Sequence, residues 1–361
     1  MTLRIALVGG PMYDPLYGLL DGQDVDVVVH ADHPTLNRRV AELLAHGERL
    51  DLISTHAKYA PSQARWLLPL DDLVDPALLA GLAPRAVGLC RFAGRLLCVP
   101  RNVDVRVLWV RTDLVAAPPD AWADVRASAA AFGFPGRESG LFGTFFELVT
   151  GEGGRLFDAA GRPTLATPEA ERAVATLCVL AAKAPADLPG WHYDQVDAAL
   201  CDGRIAMAAA WPGATAAIRA SRHASCLAPH PYPAGPCGRF TYAGAHAWAI
   251  PTTCADVGHA VALLHRLAGA AAARLELATG GVPAHVATFA AAQPLDATDA
   301  RRLALTRDAI ATQMITYPPH PSFPALEDAG WQALRDALLG RASPAAAVDR
   351  LQRHAQEVFA P

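Results

Sequence analysis

Three short apolar runs punctuate the start of the chain: "RIALVG" (4–9), "QDVDVVVH" (23–30) and "LDLIST" (50–55). Each has the length of one strand. Between the last two lies "HPTLNRRVAELLAHGERL", in which Leu36, Val40, Leu43 and Leu44 recur at helical spacing. Strands alternating with helices predict a parallel sheet wrapped by helices, whose ligands bind beyond the carboxyl ends of the strands. Gly9-Gly10-Pro11 and Ser54-Thr55-His56 fall at those ends. Met12, Tyr13 and Asp14 after the first strand, and Thr55, His56 and Lys58 after the third, are therefore candidate site residues.

The pattern changes at "CVPRNVDVRVLWVR" (98–111), where Arg101, Asn102, Asp104, Arg106 and Arg111 are set into a run with the composition of a buried strand. Charge in such a strand is expected where it leaves one lobe, crosses a cleft and enters a second. Arg101, Asn102 and Asp104 sit at that crossing. Downstream, "PPDAWADVRASAAAF" reads as a helix opened by prolines, and "GLFGTFFELVTGEGG" as a short helix closed by glycines. Gly143 and Thr144 are read as lying near its start, where free N–H groups attract hydroxyls or oxyanions. "TPEAERAVATLCVLAAKA" begins with a Thr167-Pro168 cap. "DQVDAALCDGRIAMAAAWPG" gives a helix, a turn and a small-residue strand ending at Trp211. "RFTYAGAHAWAIPT" is strand-like again and reads as a return crossing lined by Tyr242, Gly244 and His246. Trp109, Trp122 and Cys178 read as core, and His320 in "TYPPHPSFP" as a loop residue.

Composition narrows the function. A hydrophobic fraction of 52% with 18% charged residues over 361 residues suits about two domains with a substantial core. The net charge of −4 and the absence of a basic run argue against a nucleic-acid partner. No apolar segment has the length of a membrane span. "MTLRIALVGGPMYD" reads as a first strand and not as a secretory leader. Seven cysteines, scattered and without a CxxC pair, point to reduced structural thiols; neither a disulfide framework nor a zinc site is expected.

Taken in order, these segments resemble the extracellular solute-binding proteins of ABC transporters, in the carbohydrate-binding group that includes maltose-binding protein. The segments are "DLISTHAKYAPSQARWLLPLDDLV", "GRLLCVPRNVDVRVLWVRTDLVAAPPDAWADV", Phe146-Glu147-Leu148 with Gly153-Gly154, "FDAAG", "TPEAERAV", "DGRIAMAAAWPG", "YAGAHAWAIPTT" and "GGVPAH". Each is weak alone; their shared order carries the resemblance. Ala245 stands where the family pattern has a second glycine.

The resemblance implies an α/β, two-lobed periplasmic-binding-protein-like fold of type II, with a ligand cleft between lobes joined by crossing segments. The lobes would comprise 1–108 plus 250–290 and 109–249 plus 291–361. It implies a monomeric substrate-binding component of an ABC-type sugar uptake system, closing by a hinge on a sugar, sugar acid or polyol, with an ABC permease as partner if the chain is exported. No cofactor, metal or catalytic residue is implied. Ligand binding is assigned to Tyr13, Asp14, Thr55, His56, Arg101, Asn102, Asp104, Gly143, Thr144, Trp211, Tyr242, Gly244 and His246. The family is periplasmic or extracellular; a chain without a leader would instead be a cytoplasmic metabolite sensor. A third reading is a thiaminase-like enzyme on the same fold, with Cys98 as nucleophile.

Overall fold

The computed structural model describes residues 1–10 and 12–359, so Pro11 of the first glycine turn lies outside the described residues. The chain forms two compact units, each assembled from discontinuous segments. The first is Met1–Asp104, Gly244–Gln293 and Pro319–Pro321; the second is Val105–Ala243, Pro294–Pro318 and Ser322–Pro361. One boundary, Asp104/Val105, falls inside the polar strand-like stretch, and another, Ala243/Gly244, inside the return segment.

The first unit is built on a five-stranded sheet. Leu3–Val8 lies between Val25–Ala31 and Leu52–His56, parallel to both. Leu3, Ile5, Ala6, Leu7 and Val8 are all buried, as a strand covered on both faces requires. Two antiparallel additions complete the sheet: His246–Ala249 pairs with Leu52–His56, and Val99–Pro100 pairs with His246–Ala249. Helix His33–Ala45 starts where Asp32 accepts a hydrogen bond from the Thr35 amide, and it buries Leu36, Val40 and Leu44. Leu43, expected on the same face, is only half-buried.

The second unit has a four-stranded sheet. Val107–Arg111 runs antiparallel to both Leu227–His230 and Met207–Ala210, and Phe132–Gly133 joins parallel to the latter. Helices Glu138–Gly151, Pro168–Lys183, Phe323–Leu338 and Pro344–Val358 pack against one another. Gly330 permits that packing: a Cβ there would lie 2.6 Å from Leu351 Cδ1 and 2.8 Å from Phe142 Cε2. Thr167 caps the second of these helices by accepting from the Ala170 amide, with Pro168 in its first turn. Trp109 and Trp122 are buried in this core.

Three local readings need correction. The stretch 98–111 is not one strand, because Val99–Pro100 and Val107–Arg111 belong to different sheets. The helix after the proline pair covers only Trp122–Ala127, since the Ser128 backbone turns extended. The helix placed at Gly140 begins at Glu138. Gly143 and Thr144 are therefore in its interior, their amides committed to the helix and not free for a ligand.

Candidate functional site

Each unit carries its own cluster of buried polar and aromatic side chains. In the first unit the cluster forms at the carboxyl edge of the sheet. Pairing of the strands sets His246 opposite His56, and the first turn of helix His33–Ala45 adds His33. The three imidazoles form a triangle with ring centroids 5.0, 5.1 and 5.5 Å apart. Tyr13 approaches His246 edge-on, its hydroxyl 3.1 Å from Nε2. Asn102 organises the floor: its Oδ1 accepts from the His246 amide at 2.8 Å, and its Nδ2 donates to Asp104 and Glu276. Arg101 pairs with Glu276 at 3.2 Å and lies over the Tyr13 ring.

The electrostatics of this cluster follow from burial. Loss of solvent, reinforced by Lys58, brings the His33 imidazole down to about 3; burial and the neighbouring imidazoles take His56 and His246 well below their ordinary value. All three are neutral at pH 7, so each ring offers one donor and one acceptor. Asp104 is pushed up to about 7 by burial and then by Glu276. His33 Nε2, His246 Nδ1, and Arg101 Nε and Nη1 are buried without a hydrogen-bond partner. Among the described residues no group of three or more His, Cys, Asp or Glu is arranged to hold a metal ion.

In the second unit the centre is Arg106, which is 1% exposed. Its guanidinium donates to Glu147, with Tyr232 Oη and Thr144 Oγ1 at 3.3 and 3.4 Å. Glu147 also accepts from Tyr232 Oη at 2.5 Å and from the Tyr242 amide at 2.8 Å. Around this pair stands an aromatic group. Trp211 meets Tyr242 and Tyr193 edge-on at 5.1 and 5.8 Å, the two tyrosine hydroxyls share a 2.8 Å hydrogen bond, and Tyr317 lies 5.2 Å from Tyr242. Arg106 lies over the faces of Trp211, Tyr232 and Tyr242. Trp211 is half-buried, while the Tyr317 hydroxyl is buried and has no hydrogen-bond partner.

The residues anticipated from sequence divide accordingly. Tyr13, His56, Arg101, Asn102, Asp104 and His246 come together in the first unit, and Thr144, Trp211 and Tyr242 in the second. Gly143 and Gly244 serve as clearance. A Cβ at Gly143 would meet Tyr242 Cε1 at 2.3 Å, and one at Gly244 would meet His56 Nε2 at 2.2 Å. Asp14 is tied to its own turn, accepting from the Gly10 amide and His30. Thr55 is buried and donates to Gln63. Lys58 places its ammonium over the Tyr59 ring. Cys98 is fully buried, which denies a nucleophile there any access to substrate. Glu147, Tyr193, Tyr232, Tyr317, Glu276 and His33 belong to these clusters and were not anticipated from sequence. One signal was available: Glu147 is the lone charge inside the apolar run "LFGTFFELV".

An α/β unit with a mixed sheet, joined by split segments to a second α/β unit, each with a buried polar and aromatic cluster, defines a binding-protein architecture. The chain belongs to the bacterial extracellular solute-binding protein family, whose model matches residues 21–274. Solved structures agree on the periplasmic-binding-protein-like fold. Maltose-bound MalE3 of T. maritima is 19% identical, with 99% of this chain and 100% of that one aligned at a TM-score of 0.89. A ribitol complex of an ABC transporter solute-binding protein from Agrobacterium radiobacter K84 is 18% identical, at 99% of both chains and 0.86. The GacH receptor of Streptomyces glaucescens is 16% identical, at 99% of both chains and 0.85. Among the described residues no helix is long and apolar enough to cross a membrane.

Proposed function

We propose that this chain is the substrate-binding component of an ABC-type sugar uptake system, and that its ligand is a neutral carbohydrate or polyol. The observation that carries the reading is the group of Trp211, Tyr193 and Tyr242 beside Arg106. It combines flat apolar faces for a sugar ring with tyrosine hydroxyls for its polar edge. The neutral imidazoles of the first unit supply further paired donors and acceptors, which suits hydroxyl groups.

Charge bears on the ligand class. Arg101 and Arg106, the cations that would favour a sugar acid, are each matched by a buried carboxylate within their own unit, Glu276 and Glu147. The three histidines carry no charge at neutral pH. A carboxylate ligand would meet no net positive charge from either arginine, because each guanidinium is already compensated by its carboxylate. Maltose and ribitol, bound by two of the similar proteins, are themselves uncharged.

The test is a thermal-shift screen of neutral sugars, polyols and sugar acids against the full chain. A ligand that binds only the folded state at about a hundred times its Kd adds about 2.7 kcal/mol of stability. A neutral sugar or polyol is expected to raise the melting temperature, and Trp211→Ala and Asp104→Ala each to weaken it about tenfold or more. Stabilisation by sugar acids alone, or parental affinity in both variants, overturns the reading.

A further inference from the structure

The imidazole triangle of the first unit is tied to a buried hydrogen-bonded chain of uncharged side chains. Asn37 interrupts the apolar stripe of helix His33–Ala45, standing between Leu36 and Val40, and is buried with them. An amide there costs stability unless its groups are paired, and asparagine is a poor helix former. Its place one turn after His33 brings the two side chains onto one face. Asn37 Nδ2 lies 2.7 Å from the His33 carbonyl oxygen and 2.6 Å from His33 Nδ1. From the other side, Thr55 Oγ1 donates to Gln63 Oε1 at 3.2 Å, and Gln63 Nε2 donates to Asn37 Oδ1 at 3.5 Å. Thr55 and Gln63 are buried as well.

These contacts decide where a proton sits. A backbone carbonyl only accepts, so the Asn37 group facing it is the amide NH2, and that group can only donate to Nδ1. Burial, then Lys58, keeps the His33 ring neutral at pH 7, which leaves its one proton on Nε2. His56 reaches the same form by another route: the Lys58 amide donates to its Nδ1 at 3.2 Å. His246 differs, because its Nε2 is shared between Tyr13 Oη at 3.1 Å and Asp104 Oδ2 at 3.5 Å. His33 Nε2 is buried without a hydrogen-bond partner among the described residues, on a ring bordered by His56, His246 and Tyr59.

We propose that Asn37 is a positioning residue: by donating to His33 Nδ1 it fixes that imidazole as an Nε2–H donor, which joins His56 Nε2–H in presenting donors to an acceptor oxygen of the ligand. The proposal rests on the sugar-binding reading for the nature of that oxygen, a hydroxyl or ring oxygen; the tautomer itself does not depend on the ligand. Thr55 and Gln63 act one step further back. They hold the Asn37 amide so that its NH2, and not its carbonyl, meets the ring. Thr55 thereby serves the site without touching the ligand.

The experiment labels histidine with heavy nitrogen in the full chain and records long-range proton–nitrogen correlations at pH 7, which separate the two neutral tautomers from each other and from the imidazolium. His33→Gln and His56→Gln identify the signals. Both rings of the parent are expected in the Nε2–H form. Asn37→Asp is nearly isosteric but only accepts, so it should place a proton on His33 Nδ1 and leave His56 unchanged. A merely structural Asn37 would lower the melting temperature without moving that proton. A parent His33 in the Nδ1–H or imidazolium form, or an unchanged His33 in Asn37→Asp, overturns the proposal, and the parent spectrum decides even if the variant fails to fold. Titration with maltose and with ribitol reads the ligand side. A probe that binds should shift both Nε2 signals and bind Asn37→Asp about two- to tenfold more weakly; equal affinity with the proton moved overturns the donor role. Binding of neither probe by a parent with the assigned tautomers supports the role of Asn37 and counts against the sugar reading alone.

Discussion

Replacing Glu147 by alanine is the sharpest test of how the second unit is held together. The Glu147 carboxylate accepts from the Arg106 guanidinium, from Tyr232 Oη at 2.5 Å and from the Tyr242 amide at 2.8 Å, with its side chain fully enclosed. Removing it strands a buried cation whose remaining polar neighbour besides Tyr232 is Thr144 Oγ1 at 3.4 Å. Breaking one side of a buried ion pair costs about 3–5 kcal/mol, against total stabilities of about 5–15 kcal/mol. At about 2–4 °C per kcal/mol for a body of this size, the melting temperature should fall by about 6–20 °C. Glu147→Gln keeps the shape and one acceptor, so it should cost less, about 1.5–3 kcal/mol. Urea unfolding followed by tryptophan fluorescence suits the measurement, because Trp109, Trp122, Trp191, Trp211 and Trp331 are all in the second unit. An alanine variant within about 1 kcal/mol of the parent, or a glutamine variant less stable than the alanine one, refutes the account.

Three further outcomes follow from single positions. Asp104 has its folded pKa raised to about 7, so the folded state holds a proton that the unfolded chain releases near pH 4; its contribution is full at low pH and is lost as pH rises towards 7. Urea midpoints between pH 4 and 8 should therefore fall less with rising pH in Asp104→Asn than in the parent, and parallel profiles would exclude the assignment. Gly143→Ala gains about 1 kcal/mol of helix propensity but drives a methyl to 2.3 Å from Tyr242 Cε1, on a ring held by Tyr193. A net loss of about 1–2 kcal/mol is expected in denaturant titration, with weaker binding of whichever sugar the screen finds; net stabilisation would show that the ring moves freely. Ala93→Gly should raise the melting temperature by a few degrees by relieving the left-handed backbone, and a lower value would show that the turn is not strained.

The sheet of the first unit was legible because its signals are local. "RIALVG" and "LDLIST" each carry a short apolar stretch, Ile5–Val8 and Leu52–Ile53, as strands covered on both faces require, and the helix between strands announces itself by the Leu36-Val40-Leu44 stripe. The stretch 98–111 misled because hydrophobicity reports burial and not membership of one sheet. Val99–Pro100 and Val107–Arg111 are equally buried but hydrogen-bond to different partners, and partner choice is a long-range property. The helix start at Glu138 was missed for a different reason. Glu138 itself has φ +55°, a conformation that residue patterns do not announce.

The site divides along the same line. Cluster members at strand ends were legible, because the topology predicts ligands beyond those ends: His56 closes Leu52–His56 and Trp211 follows Met207–Ala210. Residues that act by pairing were not found. Arg106 and Glu147 are 41 positions apart, Arg101 and Glu276 are 175, and neither member signals the other in sequence. Yet the pairing decides the chemistry. Read singly, Arg101 and Arg106 predict a cationic cleft suited to an acid; read with their carboxylates, they become neutral scaffolds that hold Tyr13 and Tyr242 in place. Each carboxylate also fixes the floor beside its arginine, through Asn102 in one unit and the Tyr242 amide in the other. Adding a cation is therefore not equivalent to uncovering one. Removing Glu147 should weaken neutral-ligand binding through displacement of Tyr242 before any affinity for acids can appear.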